Sequence, residues 1–103
     1  LRRDDQEPLA LIGVIARQYR LLIQVKACQQ QGMHDADAIA GRIRQSPYPV
    51  KKALELTSRF SFDELTEMLD RLLEADMAIK TGSDKDTVLD VLVAELAAPK
   101  RGR

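Results

Sequence analysis

The chain has 103 residues, the size of one small domain, and 45% of them are hydrophobic, enough to bury a core without disulfide or metal staples. Sixteen Lys/Arg balance sixteen Asp/Glu, which removes the overall basic excess of a typical nucleic-acid-binding domain. Aromatic residues make up only 4% and Trp is missing, a composition that favours a helical core of Leu, Ile, Val and Ala over a β-sandwich.

The balance is uneven along the chain. Residues 1–52 hold nine Lys/Arg against five Asp/Glu, and residues 53–103 hold seven against eleven. Such a dipolar arrangement steers partners without specifying a fold. The single Cys28 leaves no internal disulfide and no Cys-based zinc site; in a helical stretch it reads as a small, partly buried apolar residue. The run LALIGVIA, residues 9–16, is too short to span a bilayer and carries no cleavage site. No signal peptide and no membrane contact are therefore expected, and a cytoplasmic setting is.

Five helices are predicted. The first runs from about Pro8 to Gln31. Pro8 fits a first turn, where no N–H is needed, and Gly32 supplies the left-handed residue that stops the helix. Leu9, Ile12, Ala16, Tyr19 and Ile23 form a stripe that Leu11, Val14, Ile15, Leu22 and Val25 widen, so this helix should be covered on more than one side. A short helix follows over 35–44, capped by His34 or Asp35, with Ile39 and Ile43 on one face. The lone His34 has no second histidine with which to share a metal.

SPYP opens a third helix, with Ser46 as its cap and Val50, Ala53, Leu54 and Thr57 on a face that extends to Phe60. FSFDEL then carries two start signals at once. Ser61 and Glu64 form an S-x-x-E capping box, and Phe60 and Leu65 are spaced for a hydrophobic staple. The fourth helix begins at about Phe62 and ends at Gly82, with Leu65, Met68, Leu69, Leu72, Leu73 and Ile79 as its stripe. Met68 and Met77 read as core filler. A fifth helix spans about 84–97, with Asp84 and Asp86 at its positive end and Val88, Leu89, Leu92, Val93 and Leu96 inward. Residues 1–7 and 98–103 read as frayed ends of a single helical domain.

No phosphate-binding glycine loop, H-E-x-x-H or G-x-S-x-G is present. The acids of the fourth helix, Asp63, Glu64, Glu67, Asp70 and Glu74, lie off its apolar face. Catalytic, metal and cofactor-binding residues are expected to be none. One binding outline does occur: helix, turn and helix over 35–60, with Lys51, Lys52 and Arg59 as DNA contacts on the second helix. Residues 17–59 carry eight basic residues against three acidic.

ARQYRLLIQVK (16–26), SPYPVKKALELTSRFS (46–61), EADMAIKTG (74–82) and LDVLVAEL (89–96) occur in that order. Together they resemble the C-terminal part of the delta subunit of bacterial DNA polymerase III. The resemblance covers about residues 8–97. It implies an all-α bundle of about five helices of the clamp-loader collar type, without the family's two upstream AAA+-type domains. It also implies a non-catalytic role at the replication fork, in which the domain packs beside collar domains of the gamma/tau and delta-prime subunits. The sliding clamp would be touched only by the delta N-terminal domain, and primer-template DNA only indirectly.

Two groups of residues follow as candidates. Leu11, Val14, Ile15 and Leu22, with part of the fifth helix, are candidates for a subunit interface, because the first helix is apolar over so much of its surface. Asp76 falls on the apolar stripe of the fourth helix. Its expected partner is Arg20, or Arg17, on the first helix, with Lys80 at i,i+4 as the local alternative.

Overall fold

The computed structural model describes residues 3–97, and all regular structure among them is helical. A 3-10 turn over Arg3–Asp5 leads into α1 (Gln6–Gln30), followed by α2 (Ala36–Ile43), α3 (Pro47–Thr57), α4 (Phe62–Lys80) and α5 (Lys85–Ala97). The five predicted helices are all present. The expected fraying at 98–103 lies outside the described residues. That at 1–7 does not hold for residues 3–7: Asp5 is buried, and Asp4 pairs with Lys85 at 3.5 Å. Pro8 consequently sits at the third position of α1, still within the turn whose N–H groups lack helical partners.

The helix ends follow from local chemistry. At the end of α1, Gly32 takes a φ of 92°, its N–H donates to the Gln29 carbonyl and Met33 N–H donates to that of Cys28. This is a Schellman closure, and α4 repeats it: Gly82 (φ 105°) donates to Ile79 and Ser83 to Ala78. Between α2 and α3 the left-handed position falls to Arg44, with φ 61° and ψ 47°, and Gln45 N–H reaches the Ala40 carbonyl. A residue with a Cβ in this region costs about 1 kcal/mol more than glycine.

The caps divide into those with a donor to accept from and one without. Asp35 takes the Ala38 N–H at 2.9 Å, so it and not His34 caps α2. Asp84 accepts from Thr87 N–H and Oγ1, each at 3.0 Å. The capping box at α4 is reciprocal: Glu64 N–H donates to Ser61 Oγ at 3.0 Å and Ser61 N–H donates to Glu64 Oε1 at 2.8 Å. Ser46 differs from expectation. It holds the cap position of α3 but its hydroxyl makes no capping bond, because Pro49 at the third helical position has no N–H to offer. α3 also ends earlier than its pattern suggests, at Thr57. Arg59 and Phe60 then turn back through bonds to the Leu56 and Thr57 carbonyls, which frees Phe60 to serve as the staple before α4.

The chain divides into two compact units, and the division cuts through α1 and α4. Residues 17–67 form one unit. Its core is Leu22, Val25 and Cys28 of α1, Ile39 and Ala40 of α2, Val50 and Ala53 of α3, and Leu65 of α4, with Tyr19, Met33 and Phe60 against it. Residues 3–16 and 68–97 form the other, with Ile12 and Ala16 of α1, Leu72, Ala75 and Ile79 of α4, and Leu92 of α5 buried.

Candidate interaction surfaces

Within the 17–67 unit, α3 buries Val50, Ala53 and Thr57 and presents the opposite side to solvent. The proline-opened turn sets Tyr48 one helical turn before Lys52 and two before Leu56, so these residues form a single exposed row. Tyr48 is 68% exposed, and the Lys52 ammonium lies 5.7 Å from its ring centroid. Lys51 and Arg59 are exposed as well. The three basic residues picked out from the helix-turn-helix outline thus all reach the surface, interleaved with apolar side chains.

The inner side of α3 is fixed to α1 by a polar network. Lys26 Nζ donates to the Thr57 carbonyl at 2.9 Å, neutralising the negative end of α3. The fully buried Thr57 hydroxyl lies 3.0 Å from Gln29 Oε1 and 3.1 Å from the Leu54 carbonyl. Sequence reasoning placed Thr57 on the inner face but not its partners. The signal is a threonine among core positions, which demands a partner once buried. Burial also holds the Tyr19 phenol above its ordinary pKa.

The second unit exposes more apolar surface. Leu11 is 57% exposed and Val14 is exposed too, while Ile15 is half-buried. Leu22 differs from the expectation that grouped it with them. It lies on the same helical row as Leu11 and Ile15 but is 9% exposed, enclosed by the α2 and α3 side chains of the 17–67 core. Met77 is not core filler, being 59% exposed, and Leu73 and Val93 also face outward. Val93 falls at the margin of the α5 stripe centred on Leu92, where helical rotation turns it away from the buried side.

Along α4 and α5 runs a groove of about 490 Å³. Ala75 and Ala78 on one wall and Val88, Val91 and Leu92 on the other make it apolar, and Glu74, Asp84 and Glu95 lie at its rim. Arg71 donates to Glu74 through Nε and an Nη at 3.0 and 3.1 Å. The hydrogen bond and the charge of Arg71 together hold the Glu74 carboxyl below its usual range. At the start of α5, Asp86 and then Asp4 raise the Lys85 ammonium above its ordinary value. Asp76 is partly buried, its side chain 24% exposed, and its Oδ2 lies 2.8 Å from Lys80 Nζ. The carboxylate on the stripe thus has the i,i+4 partner that the sequence offers locally; Arg17 and Arg20 are exposed.

Among the described residues no group of His, Cys, Asp and Glu is arranged to hold a metal, and no helix is long and apolar enough to cross a membrane. The described residues form an all-helical domain of five α-helices. A family model described as DNA polymerase III delta subunit, C-terminal domain, matches residues 1–96. DNA polymerase III subunit delta of Bacillus subtilis (strain 168) is 31% identical over 97 residues, which is 93% of this chain and 28% of that protein. The solved structure of the Bacillus subtilis DNA clamp loader delta protein matches with a TM-score of 0.80 at 31% identity, over 86% of this chain and 26% of that one. The chain therefore belongs to the DNA polymerase III delta subunit family and corresponds to its C-terminal domain. It spans little more than a quarter of the length of these relatives.

Proposed function

We propose that this domain is a non-catalytic assembly element of the bacterial clamp loader, binding the collar domains of gamma/tau and delta-prime. Family membership across residues 1–96 carries the reading. The exposed row of α1 supports it: Leu11 and Val14 keep large apolar side chains in water, which a monomeric helix of this length would not need. Leu22 has its own core to fill and takes no part. In this reading the clamp meets the N-terminal part of a full-length delta subunit, primer-template DNA is handled indirectly, and no cofactor is used. The setting is the bacterial cytoplasm.

The test is a titration of the chain against gamma/tau and delta-prime collar domains at about 0.1 M salt and above, alongside short duplexes. Association with at least one collar domain, changing little with salt and weakened by Val14→Asp at unchanged helicity, is expected. No association with either domain overturns the reading. Tight duplex binding that disappears in Lys51→Ala/Lys52→Ala would instead make α3 a DNA-recognition helix.

A further inference from the structure

Two surfaces of this chain carry opposite charge beside exposed apolar side chains. The α4/α5 groove has two alanines, Ala75 and Ala78, on its α4 side, and such small side chains let another helix come close. Val91 lines it and is still 52% exposed, so none of the described residues covers it fully. Its rim is acidic, with Glu74, Asp84 and Glu95 against Arg71, which is turned onto Glu74. The α3 row is the converse. Tyr48, Lys52 and Leu56 stand four residues apart as one ridge, with Lys51 beside it, and i±4 ridges are the commonest elements by which one helix packs onto another. Lys52 sits over the Tyr48 ring, which joins the charge and the aromatic surface in one feature.

We propose that a second copy of this chain seats its Tyr48–Lys52–Leu56 ridge in the α4/α5 groove of the first, forming a head-to-tail contact. Tyr48 and Leu56 cover Ala75, Ala78 and Val91, and Lys52 reaches the Glu74 and Glu95 side of the rim. The two faces are different, so the contact is heterologous: each copy that offers a ridge still has an open groove. It rests on the faces of this chain alone. The fate of the gamma/tau and delta-prime titration leaves it untouched.

Heterologous contacts have a distinctive signature on mixing. The chain is examined by sedimentation equilibrium up to about 1 mM, where even a contact worth only about 4 kcal/mol populates dimers. Concentration-dependent association that weakens with salt is expected. Val91→Arg fills the groove with like charge for the ridge, and Tyr48→Glu gives the ridge like charge for the rim. Each variant alone is expected to lose association at least tenfold. An equimolar mixture of the two retains one intact groove and one intact ridge, and is expected to give a 1:1 dimer and nothing larger. Both positions are exposed, so circular dichroism should remain that of the parent. Lys52→Glu mixed with Glu95→Lys provides a second complementary pair. A parent chain that stays monomeric to 1 mM, variants that associate undiminished, or a mixture that stays monomeric would each overturn the proposal.

Discussion

The two units use the same helix differently. Row for row, α1 presents Leu11, Ile15 and Leu22 along one line, yet Leu22 is enclosed and Leu11 is 57% exposed. The 17–67 unit has two short helices, α2 and α3, whose Ile39, Ala40, Val50 and Ala53 close over α1. Among the described residues the 3–16/68–97 unit has α4 and α5 to cover its share, and six of the eight large exposed apolar residues described fall there: Leu11, Val14, Leu73, Met77, Val91 and Val93. Among the described residues, one unit has its apolar positions largely covered and the other keeps more of them in water. Contiguous apolar surface left in water marks interaction sites, so under the proposed function this second unit is the part of the molecule that would meet a partner.

The largest expected effects test that contrast directly. Leu65 is fully buried in the closed core, and Leu65→Ala is expected to lower unfolding stability by about 2–5 kcal/mol, from lost transfer energy and the cavity left behind. Val93→Ala, in the open unit, should stay within about 0.5 kcal/mol. Urea melts of the two variants decide the matter. Equal losses would mean that Val93 is packed as well as Leu65, and that the α5 margin of the open unit is covered after all.

A smaller effect separates two serines that look alike in the sequence. Ser61 accepts the Glu64 N–H, so Ser61→Ala should cost about 1 kcal/mol, within the range of about 0.5–2 known for caps. Ser46 makes no such bond, and Ser46→Ala should shift the melting midpoint hardly at all. A matching loss at Ser46 would show that its hydroxyl finds the remaining Tyr48 N–H in solution.

These serines also mark how far the sequence could be read. Helix number, the stops at Gly32 and Gly82 and the capping box were legible because each is a local rule acting over four or five residues. Ser46 was misread because a second local rule, the missing N–H of Pro49, cancels the first. The surfaces were harder. Periodicity finds the side of a helix that is apolar, but not whether a neighbour reaches it. Leu11 and Leu22 are indistinguishable on the helical row and opposite in burial. Val93 failed for a related reason, since a broad stripe has margins and only tertiary packing decides where coverage ends; Met77 lies well around α4 from Leu72, and its residue type alone had placed it in the core. The Lys26–Thr57–Gln29 network joins residues up to 31 apart in sequence, and no short-range pattern encodes it.

Arg44 gives a stabilising change in the closed unit. Its φ of 61° lies where glycine is at ease, so Arg44→Gly relieves local strain while adding freedom to the unfolded chain. The net gain is expected to be about 0.5 kcal/mol, read as a rise in the urea midpoint at unchanged slope. A loss of stability would mean that the Arg44 side chain contributes more than its backbone costs.

The smallest effect belongs to the open unit and to the acid on its stripe. Asp76 and Lys80 lie one turn apart with 2.8 Å between charged atoms. An acid placed four residues before a base on one helix is the favourable order, worth about 0.3–0.5 kcal/mol. Part of the carboxylate is withdrawn from water, so it should not stand unpaired, but the Lys80 end of the pair is half in solvent and screened. A double-mutant cycle with Asp76→Ala and Lys80→Ala is therefore expected to give a coupling of no more than about 0.5 kcal/mol, diminishing with added salt. The same cycle run between Asp76 and Arg20, and then Arg17, tests whether α1 also supplies a partner. Coupling to either arginine above that to Lys80 would make Asp76 a register pin between helices. Coupling confined to Lys80 would make it a helix-surface pair that fills the margin of an uncovered stripe.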